Sequence, residues 1–248
     1  MRISVINDEV NNNIEELIKI LKKESCSNIE IRKIDNKYLF EIDFDELEDK
    51  AKLFKDNNIK VTMIDSPIGK HKFTYEQERI IFYDYIYICQ IFDCHYLRIF
   101  SDVGEDIEKT LKRYNSIAKI NNITLLIENE RNTLGDNYKY LKELMNNNYS
   151  NIKILYDIEN YYHAGLDYKE AYKELKEYIK YIHVRDYSKD KEKYVDLFTG
   201  DIDLDFIFKD KKIIISLETH LAMNKDSNVL DKEKYFVDNI RRIKEYDV

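Results

Sequence analysis

Short apolar runs alternate with amphipathic segments along the whole chain. The pattern predicts strands at Ile3–Ile6, Ile29–Arg32, Ile59–Ile64, Tyr96–Phe100, Ile123–Ile127, Ile152–Tyr156, Ile179–Val184 and Ile213–Leu217. Helices are predicted over about Asn12–Lys23, Phe44–Lys55, Tyr75–Phe92, Gly104–Ile120, Thr133–Met145 and Tyr168–Tyr178, and a last one over about Lys232–Glu245. Most strand runs are continuously apolar, which marks strands covered on both faces, and their alternation with helices is the pattern of parallel β/α units. Eight such units in 248 residues predict an α/β chain with one domain over 1–248, a (β/α)8 TIM barrel of eight parallel strands with outer helices. Only the seventh connection, Tyr187–Lys212, is irregular; it carries two charged clusters and a short apolar patch, Leu204–Phe208.

No linker rich in Pro or Gly divides the chain. The alternative, an open doubly wound sheet for a dinucleotide, lacks the glycine-rich first turn that brings backbone against a pyrophosphate, and no Walker-type loop is present. The 44% hydrophobic content suffices for one substantial core. A formal net charge of -8, with both signs mixed along the chain, makes a nucleic-acid partner a poor expectation. The N-terminal MRISVINDEVNNN lacks the pattern of a signal peptide. Ile80–Phe92 is too short to span a membrane and is broken by Asp84 and Gln90, so it reads as a buried helix whose aromatics belong to the core. Cys26, Cys89 and Cys94 show no ligand clustering, and reduced buried thiols in a cytoplasmic protein are expected.

In a parallel barrel the carboxyl ends of the strands meet at one mouth, so groups distant in sequence can converge there. LLIENE places Glu128 after the fifth strand, ILYDIEN places Asp157 after the sixth, YIHVRD places His183 near the end of the seventh, and ISLETH places Glu218 after the eighth. Singly, each reads as a solvated loop residue, a helix cap or a hydrogen-bonded structural His. Together they form a mixed N/O set suited to one divalent ion, Mn, Mg, Co, Zn or Fe(II), without the thiolates of a soft-metal site. Glu130, Glu159 and Asp186 lie two or three residues further on, and a register change would exchange them for the chosen groups.

With these motifs in order, and with ISVINDEV, IEIR, IDSPIGK and LRIFS at the earlier strand ends, the chain resembles the sugar phosphate isomerase/epimerase family with a xylose isomerase-like barrel. The resemblance covers essentially the whole length. It implies a metal set of Glu128, Asp157, His183 and Glu218, and a small sugar or sugar phosphate as substrate. Two departures fall in loops: ETH where many relatives look like EPH, and FTGDID, with only Gly200, where relatives often carry a GEG-like turn. Loops set substrate range, so these departures bear on the substrate more than on the metal.

The implied chemistry removes a proton beside a carbonyl while a divalent ion stabilises the enediolate. Glu218 is the expected first base and Glu128 its partner on the other face; Asp157 and His183 mainly fix the ion. A hydride shift is the competing route for a 1,2-isomerisation. Substrate-binding candidates are Arg185, Lys70, Asn160, His220, and Glu30 with Arg32, the last two equally readable as a structural ion pair. His163 either supports the site or begins the next helix; His71 and His95 carry weaker signals. A homo-oligomer is left open. Related alternatives are metal-dependent dehydration of a cyclic polyol-like acid, a non-enzymatic carbohydrate-binding barrel, and a multi-metal endonuclease, against which five His and an acidic balance both weigh.

Overall fold

All eight apolar runs are strands of one sheet: β1 (Arg2–Val5), β2 (Asn28–Ile31), β3 (Lys60–Asp65), β4 (Tyr96–Ile99), β5 (Thr124–Glu128), β6 (Ile152–Asp157), β7 (Ile179–Val184) and β8 (Ile214–Leu217). The structure, a computed structural model, describes residues 2–209, 213–228 and 231–246, so the end of the seventh connection at Lys212 lies outside the described residues. The sheet runs β1-β8-β7-β6-β5-β4-β3-β2. Every neighbouring pair in that order is parallel. The seam between β2 and β1 is closed by a single parallel bridge, Ile6 to Glu30. This is the (β/α)8 barrel that the alternation predicts.

Side chains alternate across each strand, and here the alternation separates two cores. Outward residues such as Leu125, Ile127, Ile154, Ile182 and Val184 join the helices in the large outer core. Met63, Leu126, Leu155, Tyr181 and Ile214 form a second apolar cluster inside the barrel. Two residues beyond each of these, on the same face, stand Asp65, Glu128, Asp157, His183 and Ser216, all buried. The apolar plug is therefore the floor on which a polar layer rests; truncating Leu126 or Leu155 to Ala would remove part of that floor and cost about 2–5 kcal/mol.

Helix boundaries follow their caps. The helix Tyr75–Ile91 opens with a capping box in which Thr74 accepts from Gln77 N–H at 3.3 Å and Gln77 accepts from Thr74 N–H at 2.9 Å. The helix expected from Gly104 begins instead at Ile107, because Asp106 accepts from Lys109 N–H. The segment expected as one helix from Thr133 divides into a turn, Leu134–Asp136, and a helix, Tyr138–Met145, that Asn137 caps. The next ends at Leu175, short of Tyr178.

Several short elements at the mouth, among them Asn7–Val10 after β1 and Leu221–Met223 after β8, do not follow from the apolar pattern, and three of them shape the site. A hairpin, Lys33–Ile34 with Lys37–Tyr38, turns at Asp35 and Asn36, both with positive φ. A one-and-a-half-turn helix, Ile158–His163, follows β6 directly. The seventh connection forms a second hairpin, Asp186–Ser188 with Lys193–Val195. Asp186 organises that connection, its carboxylate accepting N–H groups from Tyr187 at 2.9 Å, Thr199 at 3.2 Å, Gly200 at 2.8 Å and Ile202 at 3.2 Å. Among the described residues no helix is long and apolar enough to cross a membrane, and Cys26, Cys89 and Cys94 are free and buried.

Gly200 is tied to that arrangement. A Cβ there would lie 2.3 Å from Asp186 Oδ1 and 2.6 Å from the Tyr187 carbonyl oxygen, so any side chain must push the loop off its carboxylate. Gly200→Ala is expected to lower unfolding free energy by about 1–3 kcal/mol in urea titrations; an unchanged midpoint would show that the loop accommodates the methyl group.

Candidate metal centre

The period-2 register brings Glu128, Asp157, His183 and Glu218 together. One ligand atom from each lies within 4.8 Å of the others, and all four residues are buried. Asp157 and His183 are direct partners in the β6–β7 ladder. Asp157 is held from two sides. Asn129 spans to it like a piece of backbone, accepting its N–H at 2.7 Å and donating to its carbonyl at 2.9 Å. Its Oδ1 caps the short helix by accepting from Asn160 N–H at 3.1 Å, which leaves Oδ2 for the mouth.

His183 is oriented from below. Its Nε2 is 2.9 Å from Glu30 Oε1, so Nε2–H donates to that carboxylate and Nδ1 is the nitrogen whose lone pair would face the mouth once an ion displaces its proton. Nδ1 lies 3.5 Å from Glu128 Oε1 and 3.3 Å from Glu218 Oε2 and has no hydrogen-bond partner. A buried orphan nitrogen surrounded by carboxylate oxygens fits a divalent cation with mixed N/O preference. The four residues would hold the ion, with Glu30 supporting the imidazole from behind.

Three guanidinium groups brace the carboxylates. Arg98 Nη1 lies 3.0 Å from Glu128 Oε2 and 3.6 Å from Asp65 Oδ2. Arg185 bonds Glu218 Oε2, lies 2.8 Å from Asp157 Oδ2, and donates Nε–H to Glu159 at 2.9 Å and Nη2–H to Asn160 Oδ1 at 3.0 Å. Arg32 reaches Glu218 Oε1 at 2.6 Å, Asp8 at 2.9 Å and Glu9 at 3.0 Å.

Proton affinities reflect this bracing. Burial pushes Glu128 up, but Arg98 and His183 outweigh it and hold the carboxyl down at about 2. Glu218 is likewise held well below the usual range, against burial, by His220, Arg185 and His183. Asp157 goes the other way, to about 8, because burial and the neighbouring Glu218, Glu128 and Glu159 exceed the pull of Arg185. Burial lowers His183, but Glu30 and Glu218 lift it well above its ordinary value. The site thus holds crowded negative charge that a divalent ion relieves.

The predicted wall residues divide. Arg32, Lys70, Arg185 and His220 line a cavity of about 350 Å³ at the mouth, together with Glu128 and Glu218. Glu30 and Asn160 do not line it: Glu30 is fully buried beneath His183, and Asn160 lies beneath Arg185. Glu30 and Arg32 do not pair with each other, because neighbours on a strand point to different depths and each finds its own partner. His163 ends the short helix rather than beginning the next and lies 3.1 Å from Glu159. Of the register alternatives, Glu159 turns to Arg185, Asp186 to its loop, and Glu130 to Lys70 at 2.7 Å. Arg98 and Asp65 were not singled out in the sequence, although each follows an inward residue by two positions, Tyr96 in YLR and Met63 in MID.

A parallel barrel with a buried carboxylate–imidazole set at the carboxyl ends of β5 to β8 defines a (β/α)8 barrel with a candidate metal centre at its mouth. The profile of the xylose isomerase-like TIM barrel family matches residues 9–245, and the chain belongs to that family. No curated protein matches it. Among solved structures, the chain is similar to the probable 3-DHS dehydratase AsbF of petrobactin synthesis from Bacillus anthracis, with TM-score 0.80, 16% identity, and 98% and 99% of the two chains covered. It is similar to the IOLI protein with a binding zinc atom, at 0.78, 18%, 100% and 98%. It is also similar to an L-ribulose 3-epimerase, at 0.70, 16%, 99% and 97%. At such identities the likeness is one of fold.

Asp157→Ala is expected to abolish binding of about one divalent ion per chain, read by elemental analysis and Mn titration. Glu30→Gln should keep that stoichiometry and weaken affinity by about 10–100-fold. Undiminished affinity in Glu30→Gln would remove its supporting role.

Proposed function

We propose that the protein is a divalent-metal-dependent enzyme that abstracts a proton beside a carbonyl of a small polyhydroxylated compound and completes the reaction by losing a hydroxyl group. The substrate in this reading is a cyclic polyol-like acid and the reaction a dehydration. The observation that carries it is the pairing of Glu218 with His220 at the cavity wall, Oε1 to Nε2 at 3.1 Å, directly beside the candidate ligand set.

An ion bound by Glu128, Asp157, His183 and Glu218 would supply Lewis acidity, stabilising negative charge on the carbonyl oxygen. Glu218 removes the proton from the carbon next to the carbonyl. The carbon–oxygen bond at the following carbon then breaks, and His220 delivers a proton to the departing hydroxyl, so that water leaves. Arg32 holds Glu218 in line from the mouth side and Arg185 from the barrel side. His220 is seated by its own N–H, which donates to Glu9 at 3.1 Å, and by a left-handed backbone at φ 52. Likeness to a probable dehydratase accords with this reading without deciding it.

Isomerisation or epimerisation is the second reading, favoured by two carboxylates, Glu128 and Glu218, in one ligand set. Reprotonation by Glu128 on the opposite face would then replace loss of water. In both readings Glu218 is the first base.

The deciding experiment follows metal-loaded protein in heavy water with cyclic oxo-polyol acids and with ketoses, by proton NMR and ultraviolet absorbance. Formation of a conjugated product from the acid supports dehydration; deuterium incorporation into a ketose without loss of water supports epimerisation. Glu218→Gln should reduce either rate by about 10²–10⁴-fold. Turnover at the full rate in that variant would remove Glu218 as the base.

A further inference from the structure

Positive charge is concentrated at the mouth of this acidic protein. The cavity is lined by seven Lys and Arg side chains and four carboxylates, in a chain whose formal net charge is -8. Arg32, Arg98 and Arg185 are committed to the carboxylates of the ligand set and their neighbours. Lys70 is shared with Glu130. Three others remain: Arg131 stands beside the Tyr194 hydroxyl, and among the described residues neither Lys33 nor Lys72 pairs with a carboxylate.

Their placement is ordered. Tyr38, on the hairpin after β2, carries Lys33 over its ring at 4.6 Å, and its hydroxyl accepts from Lys72 at the ring edge at 2.5 Å. Phe100, after β4, carries Lys70 at 4.8 Å and Arg98 at 4.7 Å. Lys33 on the Tyr38 ring, Lys72 on the Tyr38 hydroxyl and Lys70 on the Phe100 ring therefore stand above the β2–β4 side of the mouth, opposite the β5–β8 side where the ligand set stands. Aromatic faces position such cations without neutralising them, so the charge stays available to a ligand.

We infer that Lys33, Lys70 and Lys72, seated on Tyr38 and Phe100, form a subsite for the anionic group of the substrate, a carboxylate or a phosphate. The inference rests on the proposed proton abstraction only in placing the carbonyl end of the same molecule toward Glu218. A cavity of about 350 Å³ is small for a ligand pocket, which limits the substrate to about the size of one sugar ring. Any ion held by the four ligands adds to the positive excess and strengthens the demand for an anion.

Binding can be read without turnover. Calorimetry on the metal-loaded full chain would compare quinate with myo-inositol, and fructose 6-phosphate with fructose, at low and high salt. The anionic member of at least one pair should bind about tenfold more tightly, with the advantage shrinking as salt rises. The pair showing the larger preference identifies carboxylate or phosphate as the source. Lys33→Met with Lys72→Met should remove the preference, Lys→Arg at both should retain it, and metal content should stay unchanged in each. Equal affinity within both pairs, no saturable binding of either anion, or a preference that survives Lys33→Met with Lys72→Met would overturn the subsite. Loss of proton abstraction with the anion preference intact would instead overturn the proposed reaction and leave the subsite standing.

Discussion

The fold is built around a cluster of buried carboxylates that cannot stand without the cations beside them. Glu30, Glu128, Asp157, Glu159 and Glu218 are each at most 3% exposed, and Asp65 lies with them. Removing one such charge from water costs several kcal/mol unless a partner repays it. Here the repayment is distributed: Arg98 joins β3, β4 and β5, Arg185 joins the ends of β6, β7 and β8, and Arg32 ties the loop after β2 to the end of β8. The last tie crosses the seam where the ladder between β1 and β2 is reduced to one bridge. Electrostatics at the mouth thus reinforce closure where backbone hydrogen bonding is thinnest.

That arrangement satisfies the carboxylates unevenly. Glu128 and Glu218 are held ionised by guanidinium and imidazolium neighbours, whereas Asp157, deeper and nearer to three other acids, is lifted to about 8. His183 Nδ1 faces two of these carboxylates without a hydrogen bond. An arrangement made only for stability would pair that nitrogen and separate the acids. Retaining the crowding costs stability, and the natural relief is a small divalent cation placed among the four side chains.

Much of this was legible in the sequence because strands alternate. Each apolar residue of the inner plug is followed two positions later by the polar group of the next layer, so Leu126, Leu155 and Tyr181 point to Glu128, Asp157 and His183. The same rule singles out Asp65 after Met63, but in MIDS the acid adjoins Ser and Pro and reads as a turn residue. The hairpin at Lys33–Tyr38 was missed because its strands are two residues long, although Asp35–Asn36 is the kind of pair that tolerates the positive φ such turns need. Contacts such as Arg32 with Glu218 have no local signal at all; they arise only when the first and last units of the chain meet. Asn160, a substrate-binding candidate from its place just beyond Asp157, turns its side chain to Arg185, a distinction that spacing alone does not carry.

The two halves of the mouth have different electrostatic tasks, and that difference bears on the chemistry. On the β5–β8 side, carboxylates outnumber uncommitted cations, which suits holding a metal ion and accepting a proton. On the β2–β4 side, Lys70 shares Glu130 while Lys33 and Lys72 are held by Tyr38 without a carboxylate partner among the described residues, which suits fixing an anion. A substrate spanning both is oriented by charge before any hydrogen bond to a hydroxyl is made, so its carbonyl end faces Glu218 and His220 by default. Orientation of this kind lowers the entropic part of the barrier whether the enolate then loses hydroxide or is reprotonated. The choice between those outcomes falls to the few groups that move protons, since the barrel, the ligand set and the cationic rim serve both.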